Sequence, residues 1–353
     1  MNLYVTADAI GTATGGGKVT HHESQALASI GETEIWQFPN EPRPWGADLA
    51  ARSRLEARPE YAPQRAHFYS GTFTKTIEIL RARGTTISYT AAAHDIGVSR
   101  REHEQIGIPF DYPHLTDPVQ WRAYLRGYLL ADVVVCPSIY SADIMRGYGC
   151  KNVMVIPHGF DPPARIAPIP NRFVVGYLGQ PGPDKGLVYL LRAWDVWSPE
   201  HPDALLMIAG RGTLHVLPWI RELCTSGSYY VRGEVAEPND LYDACAAYVQ
   251  SSASEGFGCE VLEARAHGRP VICSDGAGAR DHANQVVPAC DPGALASAID
   301  LWYGRWRANP QEMITLAEPS AIGDLTWRHI RARYTELFSV QTKRHIDWYA
   351  RVE

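Results

Sequence analysis

The stretch Ser252–Ile272, SASEGFGCEVLEARAHGRPVI, holds the most informative pattern in the sequence. Glu255 and Glu263 are separated by seven residues, and a glycine-rich turn between them is placed to open a helix that Gly268 should close. This predicts Glu255 in the loop before the helix and Glu263 about one turn inside it, at the tip of a sheet. Two carboxylates there can accept hydrogen bonds from vicinal hydroxyls of a ribose or hexose. Acids near a helix N-terminus also simply favour the helix dipole, and the spacing alone leaves that alternative open.

On both sides of this stretch, short apolar runs alternate with helical patterns, as in the strand-like Val133–Cys136 and Phe173–Leu178. The alternation predicts an α/β protein with parallel, doubly wound sheets. The chain of 353 residues is too long for one core, which stops growing at roughly 250–300 residues. The proline-rich segment from Pro157 to Asn171 is the best linker candidate. We therefore expect two Rossmann-like domains, residues 1–165 and 166–330, facing across a cleft that binds the ligand, and a C-terminal helix over 331–353 that packs back on the first domain.

Composition excludes several classes of protein. A hydrophobic content of 45% excludes global disorder, and a net charge of −6 argues against a protein that coats nucleic acid. The seven cysteines form no C-x-x-C pair, which favours free thiols in a reducing compartment. The N-terminus lacks the pattern of a signal peptide, and the most apolar run, Leu129–Cys136, is too short to span a membrane. We expect a cytoplasmic protein, with peripheral contact at the inner membrane face left open.

The first glycine-rich loop, Gly15-Gly16-Gly17-Lys18, follows the first apolar run. It does not match a P-loop, and Thr20 breaks the dinucleotide-binding pattern. The glycines allow a close approach of backbone to an anionic ligand at a helix N-terminus. A tight strand–helix turn without a ligand is the alternative.

The second glycine-rich loop, Gly179–Gly186 (GQPGPDKG), also lies between a strand pattern and a helix pattern. It contains Lys185, one of only five lysines, beside the helix entrance. A lysine charge and backbone N–H groups together suit a diphosphate. An ordinary surface lysine is the alternative.

Ser252–Ile272 as a whole closely resembles the signature of retaining GT-B glycosyltransferases of family 4, S-x-x-E-G-F-G-x-x-x-x-E-A-x-A-x-G-x-P-V-I. Further segments resemble other motifs of that family in the same order: Gly15–Gly17, Thr90–Asp95, Ala131–Ser138, Val155–Asp161, Gly179–Gly186 and Leu205–Gly212. The resemblance covers most of the chain and implies the GT-B fold.

The resemblance also implies roles for individual residues. The first domain would bind the acceptor and the second the nucleotide-sugar donor. Glu263 would accept hydrogen bonds from the ribose, Glu255 would contact the transferred sugar, and Lys185 would neutralise the diphosphate leaving group. The implied catalytic residues are His94, Glu255 and Lys185, and the implied donor-binding residues are Gly16, Gly17, Gln180, Lys185, Glu255, Gly256, Phe257, Gly258 and Glu263. Front-side attack without a protein nucleophile is expected, so Glu255 is not assigned that role.

One departure from the family pattern affects the diphosphate site. Gln180 occupies the position where the family usually has Arg, which leaves Lys185, the loop N–H groups and an Arg from elsewhere to hold the anion. No Asp-x-Asp occurs in the sequence, so we expect neither a metal ion nor another cofactor.

The function expected is transfer of a hexose-type sugar, from a UDP- or GDP-linked donor to a sugar, lipid-linked or small-molecule acceptor, in polysaccharide, glycolipid or glycoconjugate synthesis. A GT-B sugar-nucleotide epimerase and a catalytically weak nucleotide-sugar-binding protein are the alternatives.

Overall fold

The computed structural model describes residues 1–11, 15–41, 45–93, 95–107, 109–110, 113–225, 228–235 and 238–340. Within them the chain forms two compact units. The N-terminal unit consists of the described residues of Met1–Ala93, Asp111–His158 and Trp327–Glu353. The C-terminal unit consists of those of His94–Phe110 and Gly159–Thr326.

The strands in chain order are β1 Asn2–Thr6, β2 Thr33–Gln37, β3 Arg65–Tyr69, β4 Thr86–Thr90, β5 Val133–Cys136, β6 Val153–Val155, β7 Val174–Leu178, β8 Leu205–Ala209, β9 Tyr229–Gly233, β10 Ala247–Gln250, β11 Val271–Ser274 and β12 Gln285–Val287. The α-helices are α1 Gly15–Ala28, α2 Gly46–Glu56, α3 Thr74–Ala82, α4 Ile96–Gln105, α5 Pro113–Thr116, α6 Pro118–Leu129, α7 Ile139–Gly147, α8 Leu187–Trp197, α9 Leu217–Leu223, α10 Asn239–Ala244, α11 Cys259–Ala266, α12 Pro292–Ala308, α13 Glu312–Ala317 and α14 Trp327–Ser339. No helix in these described ranges has the length and apolarity needed to cross a membrane.

The N-terminal unit is built on a parallel six-stranded sheet in the order β2-β1-β3-β4-β5-β6. Its strands are short, and the inner strand β5 (VVVC) is buried at every position. Continuous burial is typical of parallel strands that are covered on both faces. The core of this unit is formed by side chains such as Val5, Phe68 and Ile87.

The C-terminal unit has a second parallel six-stranded sheet, in the order β12-β11-β10-β7-β8-β9. Its core includes Val175, Leu206, Val249 and Ile272 from the sheet and the fully buried Trp194 of α8. Helix α4, which follows β4 in the sequence, belongs to this unit. Because β7 pairs in parallel with both β8 and β10, the carboxyl ends of these three strands lie along one edge of the sheet.

A buried histidine–glutamate pair lies inside the N-terminal unit. His67 on β3 and Glu23 on α1 are fully buried, and His67 Nε2 lies 3.2 Å from Glu23 Oε2. Tyr4 donates to the same oxygen at 2.8 Å, and Thr90 donates to Glu23 Oε1 at 2.7 Å. Burial by itself raises the pKa of Glu23, but the His67 charge and these hydrogen bonds lower it more, so that the pKa lies below its ordinary value. This network holds β1, β3, β4 and α1 together.

Helix α14 packs against α1 in the same unit. The rings of His22 and Trp327 are stacked with centroids 4.4 Å apart, and Ser29 Oγ lies 3.3 Å from Thr335 Oγ1. Burial lowers the pKa of His22 to about 4. The residues of the expected terminal helix beyond 340 lie outside the described part of the chain, and the expected boundaries at 165 and 330 stay predictions.

The parallel α/β architecture expected from the sequence is confirmed. The sequence patterns did not indicate helices α2, α4, α5 and α7 or strand β12. Helix α1 begins at Gly15, so the first glycine-rich segment forms the first turn of the helix rather than a loop before it.

Candidate functional site

The loop that follows β10 is fixed by main-chain contacts with the loop that follows β11. The Glu255 N–H donates to Gly276 O at 2.9 Å, and Gly278 N–H donates to Glu255 O at 2.9 Å. A Cβ on Gly276 would lie 2.3 Å from Ala253 O, so only glycine allows this approach. The backbone beneath Glu255 is thereby held, while its side chain stays about 20% exposed.

Helix α11 begins where the sequence predicts. Gly258 precedes it with φ at +96°, a conformation that favours glycine, and Gly268 follows its end with φ at +71°. Glu263 lies in the second turn, and Tyr242 donates to Glu263 Oε2 at 2.8 Å. Burial, together with the Glu263 charge, raises the pKa of Tyr242 well above its ordinary value, so the phenol remains a donor.

The loop that follows β7 reaches the loop that bears Glu255. Ala253 N–H donates to Asp184 O at 2.8 Å. Gly186 has φ at +66°, and a Cβ there would lie 1.9 Å from Ser251 O, which makes glycine necessary. The result is that Lys185 Nζ donates directly to Glu255 Oε2, with the lysine side chain about a third exposed.

Helix α4 is attached to the same loops within the C-terminal unit. The Asp95 N–H donates to Ser254 Oγ at 2.7 Å, one residue before Glu255, and the Asp95 side chain caps α4 by accepting from Val98 N–H. At the other end of the helix, the buried Glu102 accepts a hydrogen bond from Tyr189 of α8 at 2.6 Å. The loops that carry Glu255 and Lys185 are therefore supported by an element from an earlier part of the chain.

The structure brings together several of the predicted site residues. Lys185 and Glu255 are in contact, Gly256, Phe257 and Gly258 connect Glu255 to α11, and Gln180 lies in the same loop as Lys185. Gly16 and Gly17 lie in the first turn of α1 in the N-terminal unit, and their donor-binding role stays a prediction. His94 lies outside the described residues.

Sequence patterns did not predict two contacts that support the residues of the candidate site. Tyr242 and Glu263 are far apart along the chain, and the Ser254 hydroxyl is buried beneath Asp95. Ser254 stands inside the predicted motif, and its position beside Glu255 was the available signal. Tyr242 offered none, because its contact depends on how α10 and α11 pack.

This arrangement places one ammonium and carboxylates at the carboxyl end of a parallel sheet, where ligands of such sheets bind. Carboxylates accept from hydroxyl groups, and an ammonium donates to anionic oxygens. Within the described part of the chain, no group of three His, Cys, Asp or Glu side chains is placed to hold a metal ion. The chemistry available from these residues is recognition of a polyhydroxy ligand that bears an anionic group.

Comparisons with known proteins show what this chain is similar to. Residues 172–304 match the protein family described as "Glycosyl transferases group 1". The lipopolysaccharide core biosynthesis mannosyltransferase LpcC of Rhizobium leguminosarum bv. viciae is 30% identical over 179 residues, 47% of this chain and 48% of the relative. The match thus spans about half the length of this curated relative.

Solved structures resemble nearly the whole chain. Sucrose-phosphate synthase (tll1590) from Thermosynechococcus elongatus has a TM-score of 0.74 at 18% identity, over 96% of this chain and 98% of the other. Anabaena Alr3699/HepE in complex with UDP and glucose has a TM-score of 0.69 at 16% identity, over 96% and 99%. A glycosyltransferase from Rickettsia africae ESF-5 has a TM-score of 0.68 at 16% identity, over 96% and 97%. The chain therefore has the two-domain α/β fold of GT-B glycosyltransferases, as the sequence predicted.

Proposed function

We propose that this protein is a retaining glycosyltransferase that moves a hexose from a nucleotide-diphospho-sugar to an acceptor hydroxyl. The observation that carries the proposal is the contact between Lys185 and Glu255, whose own loop leads into the helix bearing Glu263. Glu263 would accept hydrogen bonds from the ribose, and Glu255 would accept them from the transferred sugar. Lys185 would donate to the diphosphate.

The comparisons support this proposal. The matched family segment contains all three of these residues. The curated relative is named as a mannosyltransferase, and one solved structure of the same fold is a complex with UDP and glucose. We therefore infer a UDP- or GDP-linked donor and a sugar-containing or lipid-linked acceptor.

Catalysis would depend chiefly on the leaving group. Negative charge on the diphosphate increases as the glycosidic bond to the sugar breaks, so the Lys185 charge stabilises the transition state more than the ground state. We further propose that no metal ion takes part, that His94 acts in catalysis, and that Gly16 and Gly17 of the N-terminal unit help to bind the donor. The reaction would belong to polysaccharide or glycolipid synthesis in the cytoplasm or at the inner membrane face.

Glu263→Ala tests the assignment. Titration calorimetry with UDP, GDP and their glucose, N-acetylglucosamine and mannose conjugates identifies the donor for the unaltered protein. We expect Glu263→Ala to weaken binding of that donor by about 10- to 100-fold, because hydrogen bonds from ribose hydroxyls to a charged carboxylate are lost. Glu222→Ala, which removes an exposed acid from α9 of the same unit, is the matched control and should bind as the unaltered protein does.

Turnover separates transfer from its alternatives. Incubation of the donor with a panel of acceptors should give a product with the anomeric configuration of the donor, and Lys185→Gln should lower kcat by about 10²- to 10³-fold. An epimerised nucleotide sugar, formed without acceptor, would contradict the proposal. So would tight donor binding without transfer to any acceptor.

A further inference from the structure

A residue that follows the neighbouring strand β8 matches Gln180 in its distance from the paired strand ends. Strands β7 and β8 pair in parallel, and their last paired residues are Leu178 and Ala209. Gln180 lies two residues beyond Leu178, and Arg211 lies two residues beyond Ala209. Adjacent parallel strands are about 4.8 Å apart, so these two residues leave the sheet as neighbours.

The two loops continue side by side after the strands end. A Cβ on Gly210 would lie 2.1 Å from Gly179 O, and Gly210 has φ at +131°. A Cβ on Gly212 would lie 3.7 Å from Pro181 Cδ. Arg211 lies between these two glycines and is therefore held alongside Gln180.

Lys185 alone supplies too little positive charge in these two loops to balance a diphosphate. Lys185 donates to Glu255, Asp184 precedes Lys185, and Gln180 is neutral. A diphosphate brings two or more negative charges to this site, and a guanidinium can donate to two of its oxygens at once. Arg211 is exposed and forms no hydrogen bond or ion pair with the other residues that the structure describes.

The other arginines of these strand ends are engaged by neighbouring acceptors. Arg232 of β9 lies 3.5 Å from Asp240, and Arg280 donates to the carbonyl oxygen of Asp275 within its own turn. Among the described arginines at these strand ends, Arg211 combines exposure with a position beside Gln180.

We propose that Arg211 binds the diphosphate of the donor and supplies, from the neighbouring strand, the positive charge that Gln180 does not carry. The proposal rests on the proposed function, because it names a further residue for the same donor site. Arg211 would donate to phosphate oxygens and leave the ribose and base contacts to other residues.

The test compares Arg211→Gln with Arg221→Gln, which removes an exposed arginine from α9. Binding of UDP, GDP and the matching nucleosides is measured by calorimetry on the full chain, after circular dichroism has confirmed that each variant folds. Arg211→Gln should weaken binding of the preferred diphosphate by about 10- to 100-fold and leave the nucleoside unchanged. Arg221→Gln should change neither.

A double variant that places the arginine at position 180 instead of 211 gives a sharper test. Adding Gln180→Arg to Arg211→Gln should restore most of the diphosphate affinity, because the guanidinium returns to the register-matched position. Diphosphate affinity that is unaltered in Arg211→Gln, or not restored in the double variant, overturns this inference while the proposed function stands. If the unaltered protein binds neither UDP nor GDP, the proposed function fails and this inference with it.

Discussion

The chain places a glutamate against a basic side chain in two regions, with different surroundings. In the N-terminal unit, Glu23 is fully buried, and both of its oxygens accept hydrogen bonds from His67, Tyr4 and Thr90. In the C-terminal unit, Glu255 meets Lys185 with both side chains partly exposed. The Glu23 carboxylate uses its hydrogen-bonding capacity within the protein, whereas the partly exposed Glu255 carboxylate is open to a ligand that would replace Lys185.

This difference separates a pair with a structural role from the proposed binding site. Removing one member of a buried pair leaves a buried polar partner without compensation, whereas an exposed pair contributes little to stability. Substitutions in the Glu23 network should therefore lower stability without changing donor affinity. Substitutions in the loops around Lys185 should lower donor affinity.

The largest effect is expected for Glu23→Ala, because it leaves His67 buried without its acceptor. The free energy of unfolding should fall by about 3–5 kcal/mol. Urea unfolding followed by circular dichroism measures the loss. Glu56→Ala, at an exposed acid of α2, is the control and should change stability by less than about 0.5 kcal/mol. A loss below about 1 kcal/mol for Glu23→Ala would remove the distinction between the two regions.

The second prediction concerns pH and the buried His158 of the same unit. Burial lowers its pKa to about 4 from an ordinary value of 6.5, against a smaller raising effect of Glu23. The unfolded chain therefore takes up the proton first as the pH falls. The stability that neutral His158 contributes is complete above about pH 6.5, and about 3 kcal/mol of it is lost between there and pH 4.

His158→Gln should flatten this part of the pH dependence, as measured by urea unfolding at half-unit intervals. The depressed pKa of Glu23 acts in a separate window, because its contribution is lost only as the pH falls below about 4.5. If the stability of His158→Gln falls between pH 6.5 and 4 as steeply as that of the unaltered protein, another group is responsible for the titration.

A smaller effect on stability is expected for Gly186→Ala in the C-terminal unit. The added methyl group would meet Ser251 O, and φ is positive, so the loop must shift. We expect a loss of about 1–3 kcal/mol in stability and a clear loss of donor affinity, because Lys185 moves with the loop. Gly304→Ala on α12 has open space around its Cβ and should be neutral or slightly stabilising. Unaltered donor affinity in Gly186→Ala would show that the loop is not part of the site.

The smallest effect is expected for Tyr242→Phe, which deletes one hydroxyl and keeps the ring. Loss of its hydrogen bond to Glu263 should cost about 1 kcal/mol, or about fivefold in donor affinity. Tyr303→Phe, which removes a hydroxyl from an exposed contact with Asp203, is the control for calorimetry. Equal affinities for Tyr242→Phe and the unaltered protein would mean that Glu263 is positioned without it.

Local patterns in the sequence were enough to predict α11 and its glycine turn, but not the contact between Lys185 and Glu255. These predictions depend on glycines, charges and the alternation of strands and helices, whose effects on structure extend over only a few residues. Helices α2 and α7 were missed because their buried faces consist largely of small or polar side chains, such as Ala47, Ala51 and Ser141. Such faces give little hydrophobic contrast.

The contacts that depend on strand register could not be predicted. The proximity of Arg211 to Gln180 follows from the pairing of Leu178 with Ala209, which no local pattern specifies. The attachment of α4 to the C-terminal unit, through Asp95 and Glu102, likewise depends on tertiary packing.

The close approaches at Gly186, Gly210 and Gly276 join the loops of the site through their main chains. The spacing of the loops therefore does not depend on which side chains project from them. Substitutions at positions such as Gln180 and Arg211 can therefore change how the proposed diphosphate is held without moving the loops themselves. A substitution at any of these glycines would instead displace whole loops, so the side chains around the site can diverge during evolution while the loop framework stays the same.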